Sequence, residues 1–223
     1  MTHRRHALYF TCPDGPLAEA AAAWLGWDAA RAEARGHPAI GLDAARITER
    51  PRRYGFHGTL KAPFRLAAGT SRAAVSEHLR AFGGARAPVT LPGMGVTRLG
   101  RFLALTPEGP SEALSALAGD CVRDFDHFRA PLTEEEEARR RAAGLSRHQE
   151  ELLAQWGYPY VLEEFRFHMT LTGPLEDPAP VAEVLSRHFA PLLPRPFVID
   201  AVSLCGERQD GRFEVLERVP LGG

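Results

Sequence analysis

Two histidines, His57 and His168, each precede a threonine by two positions, Thr59 and Thr170, and each threonine is followed by a leucine, Leu60 and Leu171. Imidazole accepts or donates a proton near neutral pH. A threonine hydroxyl is a neutral donor suited to a phosphoryl oxygen, and it leaves the imidazole unpaired where a carboxylate would not. Two such pairs on opposite sides of a phosphodiester supply both proton transfers of its cleavage. One histidine deprotonates the attacking hydroxyl or water, and the other protonates the leaving oxygen. Of 27 basic residues only Lys61 is a lysine, and it lies two residues beyond Thr59. There it would add positive charge where transition-state charge develops.

The two pairs belong to an internal repeat. Tyr54-Gly-Phe-His-Gly-Thr-Leu-Lys-Ala-Pro63 aligns with Phe165-Arg-Phe-His-Met-Thr-Leu-Thr-Gly-Pro174 at an offset of 111 residues. At the same offset Gly100-Arg101-Phe102 meets Gly211-Arg212-Phe213, and Leu105 meets Leu216. Agreement in two separate windows, followed by the same order of helix, strand, tight turn and strand, reads as a duplication. With a period of two along a strand, His57, Thr59 and Lys61 share one face, and Phe56, Gly58 and Leu60 the other. In the second copy Arg166, His168, Thr170 and Thr172 share a face opposite Phe167, Met169 and Leu171. Each strand therefore buries an apolar side and presents a His-x-Thr side, and a pseudo-two-fold axis would bring the two pairs together across a cleft. The repeat makes the two histidines nearly equivalent, so base and acid are not told apart.

The elements that must position these residues follow from pattern. Ala7–Phe10 reads as a strand ended by the turn cluster Pro13–Pro16. Leu17–Ala30 reads as a helix anchored by Trp24, Leu25 and Trp27. Strands are expected over Tyr54–Phe64, Val89–Thr97, Arg101–Thr106, Phe165–Thr172, Phe197–Cys205 and Arg212–Val219. Helices are expected over Ser71–Phe82 and Pro180–Ala190. A strong apolar stripe, Leu114, Leu117, Ala118, Cys121, Val122, Phe125 and Phe128, marks a helix capped by Ser111. Thr133 to Glu136 has the form of a capping box. It opens a solvated helix at 133–150, where three glutamates stand four residues before three arginines. A lid or a partner surface is the functional reading of that helix. The expected organisation is a single domain over 1–223, with an N-terminal half at about 1–110, a helical insertion at about 111–160 and a C-terminal half at about 161–223.

Composition narrows the classes. The chain has 223 residues, 44% hydrophobic and 25% charged, with a net charge of −1. That is a globular composition with no bulk positive field for long nucleic acid. No apolar run is long enough to span a membrane, and Met1–His6 is not followed by a signal-peptide core. Cys12, Cys121 and Cys205 are odd in number and widely spaced, which fits a reducing cytoplasm. The Arg and Ala bias reads as a genomic signature. The P-loop, His-Glu-x-x-His, Gly-x-Ser-x-Gly and dinucleotide fingerprints are absent.

His57-Gly-Thr59-Leu60 and His168-Met-Thr170-Leu171 resemble the defining motif of the two-histidine (2H) phosphoesterase superfamily. The longer strings are most similar to a branch associated with phosphonate metabolism and encoded near carbon–phosphorus lyase genes. The resemblance covers the whole chain through its two halves. It implies an α+β, bilobal, duplicated fold with two antiparallel sheets facing a central cleft and helices on the outer faces. It further implies that His57 and His168 are catalytic, that Thr59 and Thr170 bind phosphate, and that neither a metal nor a cofactor is needed. The implied substrate is a small cyclic phosphodiester of the 2′,3′-cyclic nucleotide or ribosyl 1,2-cyclic phosphate type, with an RNA end as a further candidate. Around this core, Lys61, Arg166 and Thr172 are candidate phosphate ligands. Arg53, from the cluster Arg50, Arg52 and Arg53, and the aromatic residues Tyr54, Tyr158 and Tyr160 are candidate substrate contacts. The sequence calls for no membrane and no obligate protein partner. Two rivals stand beside the hydrolase: a binding module for a phosphorylated sugar or RNA end, and a metal enzyme using both histidines as ligands.

Overall fold

A computed structural model describes residues 2–142 and 144–223. Strand β1 (His6–Phe10) leads into helix α1 (Pro16–Leu25), then the short ribbon β2 (Trp27–Asp28) and β3 (Glu33–Ala34). Two single-turn helices, α2 (Ala44–Ile47) and α3 (Glu49–Arg52), precede the first motif strand, β4 (Gly58–Phe64). Then come α4 (Arg72–Gly84), β5 (Val89–Leu91), β6 (Met94–Leu99), β7 (Phe102–Pro107) and α5 (Glu112–Asp124). Helices α6 (Glu134–Arg141) and α7 (Arg147–Trp156) precede the second motif strand, β8 (Met169–Thr170). The chain closes with α8 (Pro178–Phe189), β9 (Phe197–Ile199), β10 (Ala201–Glu207) and β11 (Phe213–Pro220).

The fold is α+β and antiparallel. The two expected sheets are the arms of one seven-stranded sheet, ordered β11-β10-β1-β4-β8-β7-β6. They meet at the motif strands through the pair Gly58 and Met169. The order reveals an exchange: hairpin β6–β7 of the first half pairs with β8 of the second, while hairpin β10–β11 joins β1 and β4. The helices follow suit. α4 packs on β10 and β11, and α8 packs on β6 and β7. Strands β5 and β9, which follow α4 and α8, pair with each other, Thr90 facing Val198. One apolar core runs through both halves, from Leu60, Leu79 and Leu105 to Leu171, Leu185 and Leu204.

Several elements differ from expectation for local reasons. Helix α1 stops at Leu25 because Gly26 takes a left-handed conformation (φ 77°), and Trp27 passes into β2. The motif strands start late, at Gly58 and Met169. Just before each, the carbonyl of Gly55 or Arg166 bonds a histidine ring instead of a neighbouring strand. The helix at 133–150 is two helices. The Thr133–Glu136 capping box opens α6, and a second box, Ser146 with Gln149, opens α7. No residue of α6 is buried. Ser71 and Ser111 cap α4 and α5 through their side chains. Among the described residues no helix is long and apolar enough to cross a membrane.

Candidate active site

The motif strands adjoin in the sheet, and their central residues differ for a steric reason. A Cβ at Gly58 would stand 2.3 Å from the ring of Phe167. Glycine in the first copy thus makes room for the phenylalanine of the second, and Met169 faces it across the pair. That register, continued one residue each way, sets His57 opposite Thr170 and Thr59 opposite His168. Trp24 of α1 locks the second motif strand by donating its indole N–H to the Leu171 carbonyl at 2.8 Å. Gly55 takes φ +69°, and a Cβ there would lie 2.6 Å from that of Ala29, so the approach to His57 requires glycine.

Both imidazoles are held the same way. His57 Nδ1 lies 3.0 Å from the Gly55 carbonyl and His168 Nδ1 lies 2.7 Å from the Arg166 carbonyl, each two residues back. A carbonyl only accepts, so each Nδ1 carries the proton and each Nε2 keeps its lone pair. His57 Nε2 stands 3.2 Å from Thr59 Oγ1, whose hydroxyl donates to it. The surroundings of the two rings differ. The His57 ring stacks on Tyr9 with centroids 3.9 Å apart and is flanked by Tyr54 at 5.9 Å. Burial pushes its pKa down to about 4; the Gly55 bond raises it in part, and the charge of His168 lowers it further. Among the described residues the one aromatic neighbour of His168 is Phe102, at 5.8 Å.

A cleft of about 460 Å³ opens on His57, Thr59 and Thr170, walled by Tyr9, Tyr54 and Tyr158 and by four arginines, Arg5, Arg53, Arg139 and Arg140. A smaller cleft of about 260 Å³ shares Tyr54, His57 and Thr170 and adds Arg50 and Phe102. Arg5 grips Glu207 with both arms, at 2.6 and 2.9 Å, and Arg53 reaches the same carboxylate at 3.4 Å. Arg139 and Arg140 form no ion pair among the described residues. Arg140 lies over the Tyr158 ring at 5.0 Å, and its buried Nε has no hydrogen-bond partner. Sequence reasoning singles out neither Arg5, Tyr9, Arg139 nor Arg140. The only signal in the sequence is the reading of the inserted helix as a lid.

Other candidates lie elsewhere. Lys61 does not share the His57 face. A register shift between Tyr9 and Leu8 makes two steps of β4 oppose one of β1, and this bulge turns Lys61 inward. Its ammonium is buried, donating to the Val122 carbonyl at 2.9 Å and Asp126 at 3.3 Å, and burial lowers its pKa to about 8. Thr172 is also buried. Its hydroxyl donates to the Gly173 carbonyl and accepts from the Leu103 amide, at 2.8 and 3.0 Å, which leaves it tied into backbone. Arg166 is exposed and lines a separate groove with Thr97, Ser111 and Phe165. Arg53 lies over the Tyr54 ring at 4.8 Å on the cleft wall. Arg52 is consumed by the Leu25 and Ala45 carbonyls. Tyr158 lines the cleft, while Tyr160 is exposed beyond it and touches Tyr158 edge-on at 5.6 Å.

Residues 59–214 match the model of a family described as protein of unknown function (DUF1045). A protein of Janthinobacterium sp. (strain Marseille) named ribose 1,5-bisphosphate phosphokinase PhnN is 42% identical over 233 residues, covering 98% of this chain and 51% of that protein. One of the same name from Laribacter hongkongensis (strain HLHK9) is 36% identical over 183 residues, covering 78% of this chain and 41% of its own. The chain thus spans about half the length of the curated relatives it matches. Among solved structures, E. coli LigT in apo form is similar at TM-score 0.46 and 14% identity over 100% of both chains. The TT0787 protein of Thermus thermophilus is similar at 0.44 and 16% over 98% of both. Likenesses at that level carry no statement about what this chain does. The two His-x-Thr strands pair at the centre of one antiparallel sheet, and the family match and the relatives show that the chain belongs to the DUF1045 family.

Proposed function

We propose that the chain is a phosphodiesterase that opens a small cyclic phosphodiester by His/His general acid–base catalysis. The observation that supports this best is the matched mounting of the two rings on adjoining strands, each held at Nδ1 by a carbonyl so that Nε2 is the proton-transferring nitrogen, with the Thr59 hydroxyl beside that of His57. In the reaction one Nε2 takes a proton from water as its oxygen bonds to phosphorus. The other histidine, entering protonated, delivers its proton to the ring oxygen as that P–O bond breaks. The product is a phosphomonoester beside a free hydroxyl. Thr59 and Thr170 contact the non-bridging oxygens, and the cleft arginines take up negative charge.

The substrate reading is a ribosyl 1,2-cyclic phosphate in phosphonate breakdown. The cleft holds more positive charge than a single diester needs, and the relatives' name refers to a phosphorylated ribose. The kinase activity in that name is assigned here to the half of the relatives' length that this chain does not match. The P-loop sequence is absent, and the chain's one lysine is buried against Val122 and Asp126.

Phosphorus NMR in EDTA tests the proposal, with a panel of 2′,3′-cyclic nucleotides, a ribosyl 1,2-cyclic phosphate and an RNA ending in a cyclic phosphate. A monoester signal is expected, with kcat/KM lowered roughly 10²–10⁴-fold in His57→Ala and in His168→Ala while the fold is kept. Binding without product would replace the enzyme by a binding module. Product lost on adding EDTA would revive a metal enzyme.

A further inference from the structure

The repeat makes His57 and His168 equivalent, but the sheet does not. On one side of the motif pair the neighbour is β1, where Tyr9 faces Thr59. On the other it is β7, where Ala104 faces Thr170. The position that holds a phenol ring beside His57 therefore holds a methyl group on the His168 side. Strand β1 lies outside the duplication, since the residue 111 positions after Tyr9 is Asp120, within α5.

We propose that Tyr9 is a positioning residue that makes His57 the general base and leaves His168 the general acid. The inference rests on the phosphodiesterase reading for its chemistry but not for its structural test. Tyr9 is only 1% exposed, so its ring is a fixed plate on which the His57 imidazole stacks at an inclination of 29°. The plate removes water from one face of His57, while the Gly55 carbonyl fixes Nδ1 and Thr59 points to Nε2. The charged and titratable groups around the ring reinforce the bias. Arg5 precedes β1, Arg53 and Tyr54 precede β4, and Arg139, Arg140 and Tyr158 lie across the cleft. Glu207 of β10 is engaged with Arg5 and Arg53 rather than with the imidazole. His168 adds its own charge from the neighbouring strand. Of these groups the charge of His168 opposes an imidazolium at His57, and a histidine kept neutral is suited to accept a proton.

Nitrogen-15 NMR of the histidine rings, read against pH in the wild type, Tyr9→Phe and Tyr9→Leu, tests the positioning role without any substrate. His57 is expected to stay in the Nδ1–H form to lower pH than a free imidazole in the wild type and in Tyr9→Phe, which keeps the ring. In Tyr9→Leu its titration should move up by about one pH unit, since part of the desolvation is lost with the ring. His57 titrating like a free imidazole in the wild type overturns the proposal. So does a His57 curve unmoved in folded Tyr9→Leu, or a His168 curve moved equally. If Tyr9→Leu does not fold, Tyr9→Met, which also removes the ring, is read in its place with the same expected shift.

The roles are read with a phosphodiester carrying a 4-nitrophenolate leaving group, which departs without a proton. On it His168→Ala should recover at least tenfold of the activity lost on an alkyl ester, relative to wild type, and His57→Ala should recover none. The reverse pattern assigns the roles the other way. No turnover of any phosphodiester by the wild type would end the phosphodiesterase reading and with it the role assignment, while the NMR comparison would still report on Tyr9.

Discussion

A histidine at this site is defined by what touches each of its two nitrogens. His57 and His168 share their Nδ1 partners and differ in everything else, which no reading of His-x-Thr alone could reveal. The same lesson holds for Lys61, whose place in the motif suggests phosphate and whose ammonium the β4 bulge buries. Residue-scale burial also predicts a pH dependence of stability. His6 is 4% exposed with an unpartnered Nδ1, and burial, with the charges of His3 and Arg72, lowers its pKa to about 4. His57 is lowered to a similar value, chiefly by burial. Both folded-state values lie below that of the unfolded chain, so the unfolded state binds more protons as pH falls. The stability these neutral rings permit is complete above about pH 6.5 and is lost as pH falls toward 4. Thermal unfolding should therefore weaken by roughly 1–3 kcal/mol between pH 6.5 and 4.5, before most carboxylates titrate. His6→Leu should flatten part of that slope. A wild-type profile already flat over this window would refute the assignment.

At the scale of elements, α6 stands out because it has no counterpart in the repeat. Its first turn is four glutamates and its last turn is Arg139, Arg140 and Arg141, an order that suits the helix dipole. In the sequence this patterning reads as a solvated helix, and α6 buries no residue. Tertiary placement sends two of its arginines to the cleft while Arg141 stays paired with Glu137 and Glu150. A group that binds substrate and transition state alike changes KM without changing kcat. Arg139→Gln with Arg140→Gln should accordingly raise KM for the cyclic phosphodiester by at least about tenfold, with kcat within about threefold of wild type. Added salt should weaken the wild type more than the double variant. An unchanged KM would remove α6 from substrate binding.

At the scale of the whole molecule, the two halves are interlocked. Each half lends its hairpin to the other's side of the sheet, and α4 and α8 each cover a hairpin from the other half. Residues 1–110 expressed alone should show no cooperative thermal transition by circular dichroism, whereas co-expression with 111–223 should restore one. A cooperative transition in the isolated fragment would show that the exchange is not needed for folding. The duplication itself was legible at one offset, because Phe56, His57, Thr59, Leu60 and Pro63 recur unchanged and local capping signals such as Ser71, Ser111 and Thr133 act within a few residues. Those features depend on period, spacing and nearest neighbours, which a sequence carries directly. It was the tertiary structure that decided which strand lies beside each histidine, that Tyr9 and not Ala104 covers an imidazole, that a bulge withdraws Lys61, and that Arg139 and Arg140 reach the cleft. These depend on pairings between residues about 50 to more than 100 positions apart. Such pairings are set by how apolar faces pack together, and no local pattern records them.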